Sequence, residues 1–226
     1  MYKKFEEQTG LKFKDNSVLK SAFIHRSYLN EHKGSKFESN ERLEFLGDAV
    51  LELVVTEFLY SNYPNPEGEL TNWRSALVKG EMLAKVARTL NLGDYLFLSH
   101  GEEKSGGREK DYLLANTFEA VIGVIYLELG YEKAKEFIHK FLLVHLEDIL
   151  DKGSHIDAKS KLQEKAQEKV GITPNYELHS EEGPDHNKIF TMTAFIGERM
   201  VGKGKGSSKQ VAEQKAAEDA LKRLKW

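Results

Sequence analysis

The stretch Asn40-Glu41-Arg42-Leu43-Glu44-Phe45-Leu46-Gly47-Asp48-Ala49-Val50-Leu51 carries two patterns at once. Leu43, Leu46, Val50, Leu53 and Val54 recur at the spacing of one helix face. Asn40 is placed to cap that helix through its side-chain oxygen. Glu41, Glu44 and Asp48 follow at steps of three and four. At ~100° per residue they fall at about 0°, −60° and −20°, a single narrow stripe. Like charges on one stripe repel. A solvated face tolerates that cost, and a hard divalent cation with oxygen ligands would offset it. Gly47 and Ala49 flank Asp48 and permit close backbone approach, and apolar residues fill most of the remainder. That setting argues against a merely wet surface, although spacing alone leaves both readings open.

A second acidic pattern lies downstream. Asn116 and Glu119 stand at i and i+3 in an apolar helix read at 112–129 (Leu113, Leu114, Val121, Ile122). A charged group in such surroundings wants a partner or a metal. Between the two motifs, Ser61-Asn62-Tyr63-Pro64-Asn65-Pro66-Glu67-Gly68 ends the first helix. Helical spacing resumes over 70–91 and again over 131–150, with Gly130 ending the 112–129 helix. The polar stretch 99–111 reads as a flexible loop.

Residues 1–150 are therefore expected to be all-helical. The pattern changes at 151–156, which reads as a linker. Beyond it come a helix at 157–170, strands near 175–180, 188–196 and 198–202, a Gly/Lys/Ser-rich turn and a last helix at 208–224. That order is a compact α+β unit. Charge changes at the same place: residues 1–150 hold 19 Lys/Arg against 24 Asp/Glu, residues 151–226 hold 14 against 12. Such asymmetry fits two units with different jobs. The 226-residue chain has no cysteine, which excludes disulfides, thiolate zinc sites and a cysteine nucleophile. No apolar run approaches the ~20 residues of a membrane span, and Met1–Glu7 lacks the apolar core of a signal peptide. A cytoplasmic protein without a membrane partner is expected. A hydrolase of nucleotides or DNA is disfavoured, because there is no P-loop and no His–Asp cluster.

The run NERLEFLGDAVL at 40–51 resembles the signature segment of the ribonuclease III family. LLANTFEAVIGVIYLE at 113–128 is similar to the family's second acidic motif, and Pro66-Glu67-Gly68-Glu69-Leu70 with Arg74 and Leu77 to a third. Order and spacing agree across essentially the whole chain. The resemblance implies a multidomain α and α+β protein: an all-helical, dimerising endonuclease domain (1–150), a linker (151–156) and an α-β-β-β-α double-stranded-RNA-binding domain (157–226). It implies Mg²⁺-dependent hydrolysis of double-stranded RNA in RNA processing and decay, with Mn²⁺ able to substitute. Products would carry 5′-phosphate and 3′-hydroxyl ends with short 3′ overhangs. By motif position, Glu44, Asp48, Asn116 and Glu119 would hold the metal, with Asp48 and Glu119 as the catalytic pair. Glu41 and Glu67 would be auxiliary, and Phe45 would pack into the partner of a homodimer.

Asn116 departs from the family, which usually has Asp there. Asparagine is nearly isosteric but neutral, and its N–H₂ cannot ligate. Either the substitution was introduced to hold uncut RNA, or it is natural variation or impairment; the chain as written is expected to be weakly active or inactive. A catalytically dead RNA-binding protein is the alternative. In the tail, Gly202-Lys203-Gly204-Lys205-Gly206-Ser207-Ser208-Lys209-Gln210 resembles the glycine/lysine turn and helix start of an RNA-binding domain. The glycines read as allowing close approach to phosphates. By resemblance Ser208, Lys209 and Gln210 face phosphates, Gln163 and Gln167 face a minor groove, and His186 in Gly183-Pro184-Asp185-His186 enters a second one. His25, His100 and His139 belong to no motif, and Trp73 and Trp226 read as packing residues.

Overall fold

The computed structural model describes residues 2–151, 158–184 and 188–226. It divides into two compact units, Met1–His155 and Ile156–Trp226. The division falls within the expected linker, whose residues 152–156 lie outside the described ones.

Helices build the first unit: α1 (Lys3–Thr9), α2 (Asn16–Ser21), α3 (Arg26–Glu31), α4 (Glu41–Asn62), α5 (Glu67–Val78), α6 (Gly80–Thr89), α7 (His100–Lys104), α8 (Asp111–Leu129), α9 (Tyr131–Phe141) and α10 (Leu146–Asp151). α8 is the axis of the core. Leu113 to Ala115, Thr117, Phe118 and Ala120 to Ile125 are all buried, so it is apolar nearly all round. It is the one described helix long and apolar enough to cross a membrane, contrary to the expectation that no such segment exists. Here that apolarity is spent on the core, against α4, α6 and α9.

The Pro64/Pro66 break and the Gly130 stop stand where expected. Gly130 takes φ 85°, and its N–H donates to the Tyr126 carbonyl. Four details differ. The segment 70–91 is two helices, broken at Lys79 in extended backbone before Gly80, a poor interior helix residue. The segment 131–150 is interrupted by a 3₁₀ turn at Leu143–His145. The 99–111 stretch is no loose loop: it holds α7 and a 3₁₀ turn at Gly107–Glu109. Arg108 binds Glu103 (Nε–Oε1 2.6 Å) and the Gly93 carbonyl (2.7 Å), while Lys110 reaches Glu102 at 2.6 Å. Finally, Asn40 makes no side-chain cap. It is 4% exposed, and its amide donates inward to the Ala22 carbonyl, tying α4 to the strap between α2 and α3, residues 22–25.

In the second unit an antiparallel sheet, β1 (Asn175–Glu182), β2 (Ile189–Ile196) and β3 (Arg199–Gly206), packs against α12 (Lys209–Leu224), with α11 (Ala158–Val170) beside α12. β3 runs through residues 203–206, where a turn was expected. Its glycines explain why. A Cβ on Gly202 would lie 2.2 Å from the Ala216 carbonyl oxygen, one on Gly204 2.3 Å from the Ala216 nitrogen, and one on Gly206 2.6 Å from the Ala212 nitrogen. With a strand period of two, these three glycines face α12 and let its alanine stripe (Ala212, Ala216, Ala220) lie directly on the strand backbone. They serve helix packing rather than approach to phosphate.

Candidate functional site

The acidic motifs meet because α4 and α8 cross without side chains between them. A Cβ on Gly47 would stand 1.7 Å from the Glu119 carbonyl oxygen, and one on Gly123 2.4 Å from that of Leu43. Each glycine admits the other helix's backbone. The crossing therefore sets Glu44 and Asp48 against Asn116 and Glu119, one helical turn around it. Ala49 plays no part in the approach and is exposed.

Electrostatics register the convergence. Burial, reinforced by Asp48 and Glu44, pushes the Glu119 carboxyl up to about 8. Burial also raises Glu44, with Glu41 and Asp48 adding to it, while the Asn116 amide donates to Glu44 and partly offsets the rise. An aspartate at 116 could make no such donation. The donors are all oxygen-bearing and under-neutralised, which is the chemistry a hard divalent cation satisfies. Among the described residues, no three His, Asp or Glu side chains, Glu44, Asp48 and Glu119 included, are close enough to hold a metal ion without rearrangement. Glu44 and Asn116 also line a cavity of about 220 Å³ with His25, Arg26, Glu41 and Tyr112.

In the second unit Ser208 caps α12, its Oγ accepting from the Val211 N–H at 3.2 Å. Lys209 and Gln210 are exposed in the first turn. Lys203 and Lys205 alternate with the buried glycines and are exposed as well.

Residues 15–146 match the family model described as Ribonuclease-III-like, and residues 158–224 match that of the double-stranded RNA binding motif. The Ribonuclease 3 of Borreliella burgdorferi is 44% identical over 222 residues, spanning 98% of this chain and 90% of the relative. That of Bacillus cereus is 44% identical over 226 residues, with 99% and 91% covered. The chain belongs to the ribonuclease III family. The nuclease domain of ribonuclease III from Campylobacter jejuni, of which a region is involved in dimer formation, superposes with a TM-score of 0.58 at 43% identity. It covers 62% of this chain and 95% of that domain.

Seen against the ribonuclease III motifs, the expected site residues fall into three groups. Glu44, Asp48, Asn116 and Glu119 share the crossing, and Glu41 lines the adjoining cavity, 3.6 Å from Arg26. Glu67 instead lines a different groove, with Tyr60, Tyr63 and Arg74, and accepts from Thr71 at 3.0 Å. Phe45 is 80% exposed on the outer face of α4, with Leu53 and Tyr60, so Leu53 does not belong to the buried face read from its spacing. A groove of about 1000 Å³ beside Phe45 is lined by Val18, Phe37, Leu43, Leu46 and Leu127. On α11, Gln163 and Gln167 are exposed, and the Gln167 amide donates to Thr173 at 2.7 Å. His186 lies outside the described residues.

Three cavity residues were not foreseen. Tyr112 stands one turn before Asn116 on α8, a spacing that could have revealed it. His25 and Arg26 stand at the start of α3, distant in sequence from α8, and no periodicity points to them.

Proposed function

We propose that this chain is a Mg²⁺-dependent, homodimeric endoribonuclease of double-stranded RNA whose turnover is impaired by Asn116. The observation that carries the reading is the side-chain-free crossing at Gly47 and Gly123, which sets the exposed Asp48 against the half-buried Glu119. Glu44, Asp48, Glu119 and the Asn116 carbonyl oxygen would hold the cation. When bound, Mg²⁺ supplies charge relief and water activation at a phosphodiester. Glu119 favours its proton at neutral pH in the metal-free chain, so the cation competes with that proton and binds better as pH rises. Asn116 withholds one negative charge and spends its amide on Glu44. Glu41 and Glu67 would be auxiliary, Glu67 serving from its own groove. The exposed Phe45, with an apolar groove beside it, is the proposed homodimer contact. Residues 157–226 would grip duplex RNA through Ser208, Lys209, Gln210, Gln163, Gln167 and His186. A cytoplasmic role in ribosomal and messenger RNA processing completes the proposal.

The test is cleavage of a long RNA duplex in Mg²⁺ by the chain and by its Asn116→Asp variant. We expect the variant to cut at least ~100-fold faster, the scale of one charged metal ligand. Full-rate cleavage by the unaltered chain would sink the impairment. No gain in the variant would favour the second reading, a dead RNA-binding protein, which Asn116 itself recommends.

A further inference from the structure

His25 is held in one orientation by bonds from several elements. The Phe97 N–H donates to the Phe23 carbonyl at 2.8 Å, and the His25 N–H donates back to the Phe97 carbonyl at 3.1 Å. Asn40 clamps the same strap through Ala22 and Ile24. The ring is fixed separately. The Ser99 N–H donates to Ser27 Oγ at 3.0 Å, and that oxygen lies 2.8 Å from His25 Nδ1. The Ser27 backbone N–H donates to that same nitrogen at 3.3 Å. A nitrogen that accepts a backbone N–H is the unprotonated one, so the ring proton sits on Nε2 and the Ser27 hydroxyl can donate to Nδ1 as well. Among the described residues nothing accepts from Nε2, and the ring lines the cavity shared with Glu44 and Asn116.

The cavity's other polar groups make that donor conspicuous. Glu41 and Glu44 are acidic, the Asn40 amide is spent on Ala22, and the Thr117 hydroxyl on the Leu113 carbonyl. The Asn116 amide is spent on Glu44 and the Tyr112 hydroxyl is turned toward Glu102 at 3.5 Å, so an incoming phosphate, repelled by the carboxylates, needs another donor. His25 offers one, and the Arg26 guanidinium, exposed beside Glu41, offers more.

We propose that His25 and Arg26 form a phosphate subsite in which His25 Nε2–H donates to a non-bridging oxygen of the RNA strand, next to the scissile linkage. His25 is thus a substrate-positioning residue. The proposal rests on the reading of the chain as a nuclease of duplex RNA. Preorganisation is its physical rationale: a donor locked in tautomer and orientation needs no rearrangement when the strand arrives. Burial also lowers the tendency of the ring to take a second proton, which keeps it neutral.

Two measurements test it. In the unaltered, slow-cutting chain labelled with ¹⁵N-histidine, imidazole shifts are expected to show the Nε2–H tautomer and a change at Nε2 on adding a short RNA duplex. An Nδ1–H tautomer, or an Nε2 signal indifferent to RNA, overturns the subsite. In the Asn116→Asp chain, His25→Phe is expected to lower kcat/KM ~10-fold or more, the scale of a hydrogen bond to a charged group. His25→Gln, which keeps an N–H near the same place, should recover most of that loss. Single phosphorothioates should slow the Asn116→Asp chain at one non-bridging oxygen and not slow the His25→Phe chain there. An equal phosphorothioate penalty in both chains overturns the contact. If Asn116→Asp cuts nothing, the nuclease reading falls, while the nitrogen shifts still decide the subsite.

Discussion

The two units use the same steric device for opposite electrostatic ends. At the α4–α8 crossing, one glycine from each helix removes side chains at a point, and Glu44 and Glu119 are left half-buried within reach of like charges. On β3, glycines at every second position remove side chains along a line, and the alternate lysines are thrown outward into water. The helical period rotates the residues next to a close contact only part-way around, so Glu44, Asp48, Asn116 and Glu119 stay beside it. The strand period sends the next residue to the far side. A helix crossing can therefore concentrate charge, whereas a glycine-lined strand can only display it.

Breaking the two contacts is the most forceful way to test this contrast. Gly47→Ala would drive a methyl to 1.7 Å from a backbone oxygen, and neither helix backbone can yield that far locally. We expect a loss of about 3 kcal/mol or more, at the upper end of overpacking effects, and confined to the first unit. Gly204→Ala meets the α12 backbone at 2.3 Å and should destabilise the second unit by a similar amount, leaving the first unit's transition in place. Calorimetry of the full chain reads both. A Gly47→Ala chain whose first-unit melting temperature moved by less than ~2 °C would mean that the crossing is not tight.

A smaller effect separates concentrated from displayed charge. The folded state raises the Glu119 carboxyl from an ordinary carboxylate value to about 8. For a group shifted upward, the stabilising contribution is complete below the unfolded value, near 4.5, and is lost as pH climbs through about 8. Glu119→Gln should therefore leave the metal-free chain's stability unchanged at pH 4. At pH 9 it should raise stability by ~1–3 kcal/mol, allowing for the residual solvent at the site. Mg²⁺ at pH 9 should narrow that gap by stabilising only the chain that retains the carboxylate. Equal stability of the two chains at pH 9 without metal would mean that Glu119 is not held half-buried beside like charges.

Much of this was legible in the residues, and the failures share a cause. The carboxylate stripe, the Pro64/Pro66 break and the Gly130 stop are local signals, and local geometry realises them. Asn40 fits a cap by residue type, while its actual partner, the Ala22 carbonyl, is a tertiary neighbour. Gly202, Gly204 and Gly206 resemble a phosphate-facing turn in sequence; only the alanines of α12 show which way they face. His25 is unreadable for the same reason, since its tautomer follows from the Ser27 backbone N–H and its ring is steadied by the Ser27 hydroxyl, itself held by Ser99 on a separate segment. The spacing that marked Asn116 and Glu119 as one face needed no such partner.

The smallest expected effect lies on the displayed side of the comparison. Lys209 stands exposed in the first turn of α12, where the free backbone N–H groups and the helix dipole already favour an anion, and where Ser208 is occupied with capping. A lysine there adds one neutralised phosphate without being desolvated in the free chain. Lys209→Gln should therefore weaken duplex binding uniformly across RNA sequences and make the slope of log affinity against log salt shallower by about one. Folding stability should change by less than ~0.5 kcal/mol, because the side chain leaves no buried partner behind. Gln210→Lys should steepen the same slope by about one, again without altering melting. Salt titrations on a duplex of fixed length read both variants. If Lys209→Gln altered melting but not the salt slope, the lysine would belong to the fold like the glycines before it, and the distinction between the two units would fail at its basic end.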